Sequence, residues 1–233
     1  MIFRQLFDRE SSTYSYLLGD EISREALLID PVLEQTDQNL ALLRELGLTL
    51  KLALDTHTHA DHITGLGELR EQTGCTTMMG SQAVATCLSA TFADGDQVGV
   101  DGINLEVIYT PGHTDDSYSF YLPKSEHGGM LFSGDTLLIR GTGRTDFQNG
   151  SAEQQYNSLF NRLLQLPEET AVYPGHDYKG WTVSNIAEEK QHNPRLQVAD
   201  QQAYISLMAA LKLPNPKLMD IAVPANQSCG AIK

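Results

Sequence analysis

Cysteine is scarce and poorly spaced: Cys75, Cys87 and Cys229 are three in 233 residues, an odd number with no C-x-x-C pair. Neither a disulfide framework nor a zinc knuckle is expected from that spacing. Cys75 and Cys87 read as small core residues, and Cys229, between Ser228 and Gly230, as part of an exposed tail open to occasional oxidation. Positive charge is also short. With 16 basic against 30 acidic residues the net charge is -14, which argues against nucleic-acid or anionic-membrane partners. Long apolar runs are missing too: Met1 to Asp20 carries Arg4, Asp8, Arg9 and Glu10, and no segment approaches membrane-spanning length. A cytoplasmic protein is the expectation. No repeat of solenoid period and no low-complexity linker occurs.

Histidine, by contrast, is concentrated. Thr56-His57-Thr58-His59-Ala60-Asp61-His62 sets three imidazoles and a carboxylate in six positions directly after the apolar run Leu52-Ala53-Leu54. Imidazole and carboxylate are common metal ligands, so the chain is expected to bind a metal rather than to display a His-rich surface turn. Residues two apart in an extended strand point the same way, so His57 and His59 leave a strand end as a pair. Asp61 and His62 then begin the next element; Ile63, Leu66 and Leu69 at helical spacing, with Gly74 after them, read as strand, ligand loop, then helix.

The same grammar recurs three times. Leu105 to Tyr109 runs into Thr110-Pro111-Gly112-His113, Met130 to Phe132 into Ser133-Gly134-Asp135, and Ala171 to Tyr173 into Pro174-Gly175-His176. Taken singly, Asp135 reads as a helix cap and His176 as a satisfied loop histidine. Together, four strand ends bearing His or Asp indicate a site, because open α/β architectures place theirs at the carboxyl ends of strands. His127 and His192 have no such context and read as solvated.

Further strands are expected at Tyr14 to Leu18 and Ala26 to Ile29, alternating with amphipathic helices, which gives α/β or α+β. One helix follows Ser151: Ser151 and Gln154 form a capping box, Tyr156, Leu159, Phe160, Leu163 and Leu164 an apolar face, and Pro167 the stop. Another follows Asp200, with Tyr204, Leu207, Met208 and Leu211 on its face. Length fits one large domain or a domain with a small appendage.

Two chemistries suit the ligand-type residues. Seven of them, His57, His59, Asp61, His62, His113, Asp135 and His176, make a two-metal site with Asp135 bridging, the hydrolase arrangement in which a metal-bound hydroxide attacks a carbonyl. His57, His113 and Asp135 alone make a 2-His-1-carboxylate triad with open positions, the donor set of non-heme Fe(II) oxygenases. Counting ligands does not choose between them.

The H-x-H-x-D-H, T-P-G-H, G-D and P-G-H segments, in that order, resemble the metallo-β-lactamase superfamily over most of residues 1 to 180. Within it, Ser133 to Phe147 resembles the signature of the persulfide dioxygenases, and Tyr173 to Tyr178, Asn193 to Leu196 and Ala222 to Asn226 resemble their later segments. Thr142 stands where mitochondrial members of that family carry cysteine. The resemblance implies a four-layer αββα sandwich, one domain over 1-233 with a short helical tail from about 181 to 233, and a homodimer. It also implies one Fe(II) per chain on His57, His113 and Asp135, with His59, Asp61, His62 and His176 as surrounding groups. The implied reaction is oxidation of glutathione persulfide by O2 to sulfite and glutathione.

An anionic substrate on an acidic protein needs local positive charge. Arg144 and Arg195 lie in the family-like segments, and a guanidinium suits a carboxylate. Tyr178 offers a hydroxyl after His176. Arg144 follows Asp135 by nine residues on a loop where Gly141 and Gly143 permit a tight turn; the G-x-G-x-x-G nucleotide pattern fails at Asp146. Two other functions fit less well. A hydroxyacylglutathione hydrolase, the dinuclear thioesterase of glyoxalase II type, shares H-x-H-x-D-H but has a larger helical carboxyl-terminal region and lacks the Leu138 to Arg144 run. A non-catalytic iron protein sensing O2 or sulfide lacks a fused output domain.

Overall fold

A computed structural model describes residues 1–123, 128–214 and 218–231; His127 lies outside them. The chain divides into two compact units. Unit 1 comprises Met1–Ala93, Gln97–Leu105 and the described carboxyl-terminal residues 218–231, and unit 2 comprises Asp94–Asp96 and Glu106–Pro214.

Unit 1 is built on a sheet with strand order β1-β2-β3-β4-β5-β6: β1 (Ile2–Phe7), β2 (Tyr14–Gly19), β3 (Glu25–Ile29), β4 (Thr49–Leu54), β5 (Thr76–Gly80) and β6 (Ala90–Phe92). From β3 to β6 the strands are parallel, the arrangement that needs crossover helices. Helices α1 (Thr36–Leu46) and α2 (Leu66–Thr73) carry the crossovers from β3 to β4 and from β4 to β5, and both end at a left-handed glycine, Gly47 and Gly74. Their apolar stripes, with Leu43, Leu66 and Leu69, pack on Leu17, Leu28, Leu50 and Ala53 of the sheet. Burying a leucine side chain contributes about 1.5–3 kcal/mol, so this layer anchors β4 and the loop that leaves it.

The second sheet has the order β12-β11-β10-β9-β8-β7, with β7 (Gln97–Val100), β8 (Ile103–Tyr109), β9 (Tyr118–Leu122), β10 (Met130–Gly134), β11 (Ala171–Pro174) and β12 (Ser184–Asn185). Strands β10 and β11 pair in parallel, whereas β8 with β9, β9 with β10 and β11 with β12 are antiparallel. Unit 2 adds α3 (Ala152–Phe160), α4 (Ile186–His192) and α5 (Gln201–Ala209), whose Leu159, Ile186, Tyr204 and Met208 join Leu131 and Val172 in one buried cluster. Helix α6 (Met219–Asn226) belongs to unit 1. The expected mixed α/β chain with two sheets is therefore present.

Some element boundaries differ from the sequence reading. Asp61 and His62 lie in the expected ligand loop, but Ile63 lies there too and α2 starts only at Leu66. Helix α3 stops at Phe160, and Leu163–Gln165 forms a separate 3-10 turn. The Ser151 hydroxyl caps Gln154 N–H at 3.3 Å, but the Ser151 N–H goes to the Gly112 carbonyl at 2.8 Å, so the box closes on a neighbouring loop. Helix α5 ends before Leu211.

The cysteine reading is corrected as well. Cys87 and Cys229 form a disulfide across 142 residues of sequence, and Cys229 is buried rather than exposed. Local spacing carries no information about a pairing that the fold makes. Cys75 is free and buried as expected, and burial pushes its thiol pKa up.

Candidate metal centre

Parallel pairing explains why ligand-type residues cluster at strand ends. The register of β3 and β4 matches Ile29 with Leu54, so Asp30 comes to lie beside Asp55 and Thr56. The Asp30 carboxylate accepts from Thr56 N–H at 2.7 Å and from the Thr56 hydroxyl at 2.9 Å. Having given its proton to Asp30, the Thr56 hydroxyl accepts from His57 Nδ1 at 2.9 Å. The proton on Nδ1 leaves Nε2 as the lone-pair atom of His57. Asp30 was missed in the sequence, although it follows the grammar noted there: apolar strand, then a ligand-type residue, then Pro31.

Asp30 also reaches His59 Nε2 at 3.2 Å. His59 is fully buried, which disfavours its charge, yet the carboxylates of Asp30, Asp55 and Asp61 outweigh burial and push its pKa up to about 9. His62 Nδ1 meets Asp61 Oδ2 at 3.0 Å and the Thr13 hydroxyl at 3.1 Å. The ligand atoms of His59, Asp61 and His62 lie within 4.8 Å of one another, as do those of Asp30, Asp55 and His59, so unit 1 holds compact donor clusters of a metal-binding kind.

In unit 2 the β10–β11 register sets Gly134 against Pro174, which brings Asp135 beside Gly175 and His176. His176 Nδ1 donates to Asp135 Oδ1 at 2.7 Å. The other carboxylate oxygen, Oδ2, faces His113 Nε2 at 3.6 Å. His113 Nδ1 donates to the Arg144 carbonyl at 2.8 Å, so its lone pair also sits on Nε2. Two donor atoms bound side by side at about 2.0–2.2 Å from one ion are about 3 Å apart, near the separation seen here. A Cβ at Gly143 would strike the Asp135 carbonyl and come within 2.7 Å of His113 Nδ1, and one at Gly175 would lie 2.8 Å from Asp135 Oδ1. Glycine at 143 thus serves close approach, whereas the left-handed turn of this loop falls on Arg140 (φ 54°).

The loop from Leu138 to Arg144 is fastened from α4. Asn193 Nδ2 donates to the Gly141 carbonyl at 2.9 Å and the Leu138 carbonyl at 3.3 Å, and the fully buried Glu189 pairs with Arg140. Glu189 was not singled out in the sequence and Asn193 stood only within a family-like segment, because what they hold is the backbone of this loop and an arginine 49 residues from Glu189.

Of the expected substrate residues, Arg144 uses its guanidinium on Asp146 at 2.7 and 2.9 Å and on the Pro214 carbonyl at 2.6 Å. Arg195 instead donates to the Thr142 carbonyl and, at 3.0 Å, to its hydroxyl; no carboxylate pairs with it among the described residues, and burial lowers its pKa. Thr142 also meets Tyr204 and Met208, so this position is a packing and hydrogen-bonding contact. Tyr178 is 71 % exposed and stacks parallel to His176 with ring centroids 6.1 Å apart. His192 is exposed, as expected.

A mixed α/β fold whose strand ends carry clusters of histidine and carboxylate is that of a metal-dependent enzyme scaffold, and the profile of the metallo-beta-lactamase superfamily matches residues 8–86 and 89–176. Within that superfamily the chain belongs to the persulfide dioxygenase family. It is 46% identical over 235 residues to the mitochondrial persulfide dioxygenase ETHE1 of Bos taurus, covering 99% of this chain and 89% of the relative. The crystal structure of ETHE1 from Myxococcus xanthus superposes with a TM-score of 0.95 at 55% identity, covering 99% of this chain and 100% of the other. A hydroxyacylglutathione hydrolase of Idiomarina loihiensis is more distant, at 33% identity over 90% of this chain and 79% of the relative.

Proposed function

We propose that this protein is an iron-dependent persulfide dioxygenase that oxidises glutathione persulfide with O2 to sulfite and glutathione. The carrying observation is the match to a persulfide dioxygenase at 46% identity over 99% of the chain. His57, His113 and Asp135 would hold one Fe(II), and the chemistry of the donor set fits the ion. The Thr56 hydroxyl leaves Nε2 of His57 as its donor, the Arg144 carbonyl leaves Nε2 of His113, and His176 occupies one oxygen of Asp135 and leaves the other. Two imidazoles and one carboxylate on a single ion keep positions open for a sulfur substrate and dioxygen. When bound, iron supplies the redox chemistry that activates dioxygen; the chain's part is to fix its donors and seat the substrate.

On this proposal His59, Asp61, His62 and His176 orient the donors, and Arg144, Arg195 and Tyr178 contact glutathione. Arg195 carries the larger share, since Asp146 already neutralises Arg144. We further propose one catalytic domain over residues 1–233, a homodimer testable by light scattering, and a cytoplasmic site of action. No helix among the described residues is long and apolar enough to cross a membrane.

Alanine substitutions of the ligand-type residues test the assignment. His57→Ala, His113→Ala and Asp135→Ala strip iron and activity. His59→Ala and His176→Ala keep most of the iron while activity falls about 10- to 100-fold, the usual cost of losing a group that orients a ligand. Equal iron loss from His59→Ala and His57→Ala rejects this assignment. The second reading, a dinuclear hydroxyacylglutathione hydrolase, draws on the His59–Asp61–His62 cluster and requires two metals per chain and thioester turnover.

A further inference from the structure

Helix α6 of unit 1 ends in Asn226, which is 1% exposed. Its carboxamide donates to the carbonyls of His59 and His62 at 2.9 Å each and accepts from Thr64 N–H at 2.8 Å. One side chain from the far end of the sequence thus grips the backbone of the H-x-D-H loop at both ends. Helix α6 is short, with Ala222 and Ala225 packed on Ile63, and two further links hold its end in place. The Cys229 carbonyl accepts from Gly67 N–H at 3.0 Å, and the Cys87–Cys229 disulfide ties it to a segment between β5 and β6.

We propose that Asn226 is a positioning residue for the ligand loop and that the Cys87–Cys229 disulfide makes its grip redox-dependent. With the disulfide closed, the end of α6 is held at Cys229 by both the Cys87 link and the Gly67 hydrogen bond, and the carboxamide stays in register with His59, His62 and Thr64. With it open, α6 is held by a few small apolar contacts and backbone hydrogen bonds, and the loop exchanges more freely with solvent. The reductant is a low-molecular-weight thiol such as glutathione. Its thiolate attacks Sγ of the partly exposed Cys87; the S–S bond breaks and the electron pair leaves on Cys229 Sγ, which takes a proton. A second thiol resolves the mixed disulfide, so two thiols are oxidised to one disulfide and two protein thiols form.

The test uses the whole protein, oxidised or reduced with a phosphine and then desalted, with thiols counted to verify three in place of one. Amide exchange is followed in metal-free protein, and iron release to a chelator in loaded protein. The iron arm rests on the metal-binding reading above; the exchange arm does not. Reduction should speed exchange at residues 59 to 66 by roughly 2- to 12-fold, the range for one lost hydrogen bond, with a similar rise in the rate of iron release. A Cys87→Ser and Cys229→Ser double variant should behave as the reduced protein and be indifferent to the phosphine, and Asn226→Asp should show the fast loop with the disulfide intact. Amides of β9 and β10 in unit 2 should be unchanged in all of them. Unchanged exchange at 59 to 66 in fully reduced protein, or a uniform rise that includes β9 and β10, overturns the proposal. Should Asn226→Asp not fold, the reduced wild type and the serine pair still decide.

Discussion

At the scale of single residues, the tautomers of two histidines are set by neighbours that a sequence does not advertise. His57 owes its Nδ1 proton placement to Thr56 and, behind it, Asp30; His113 owes its own to a backbone carbonyl, that of Arg144. Thr56→Val keeps the shape and removes the hydroxyl, so iron affinity measured by chelator competition should fall about 10- to 100-fold with the fold intact. Wild-type affinity in Thr56→Val refutes the relay. Substrate binding separates the two arginines. Losing a charge-assisted contact costs about 1.5–3 kcal/mol, so Arg195→Met should lower kcat/KM for glutathione persulfide by roughly 10- to 150-fold at normal iron content. Arg144→Met should cost less, because Asp146 already meets that guanidinium; the reverse order in steady-state kinetics removes Arg195 from the pocket. The histidines were legible because six positions held three of them. Asp30 was not, and Asn193 and Asn226 stood in family-like segments without a role, since their work is done on backbone atoms and on residues far away in sequence.

Elements were legible in kind and less so in extent. The four apolar runs ending in ligand-type residues are β4, β8, β10 and β11, because a short apolar run bounded by Pro and Gly has few other solutions. What the pattern lacked was register: only the parallel pairings of β3 with β4 and β10 with β11 bring Asp30 to Thr56 and His176 to Asp135. The Ser151 N-cap of α3 stands where it was read, although its N–H turned to Gly112 instead of completing a local box. The loop of residues 138 to 144 depends on α4 in a way that can be measured. Glu189 is fully buried against Arg140, and removing one partner of a buried pair costs about 3–5 kcal/mol. Glu189→Ala should lower stability by that amount in urea denaturation, and a loss below about 1 kcal/mol shows that the pair contributes little beyond its own desolvation.

For the molecule as a whole, composition excluded more than it identified: an acidic chain with three cysteines was expected to have no disulfide, and the fold joins two of them across 142 residues. The fold class and family were nevertheless readable, because the ligand spacing and the order of four motifs are carried by short local segments of the sequence. Iron that binds only the folded chain must stabilise it, by about 2.7 kcal/mol at a free concentration a hundredfold above Kd. Chelating the metal should therefore lower the thermal midpoint, and a midpoint independent of iron shows that the donors do not hold it in the folded state. The central claim, a single-iron dioxygenase, is tested most directly by oxygen-electrode turnover of glutathione persulfide with protein purified anaerobically and its metals counted. One iron per chain with O2 uptake matched to sulfite formation is the predicted result; two metal ions per chain, thioester hydrolysis and no O2 uptake would contradict it.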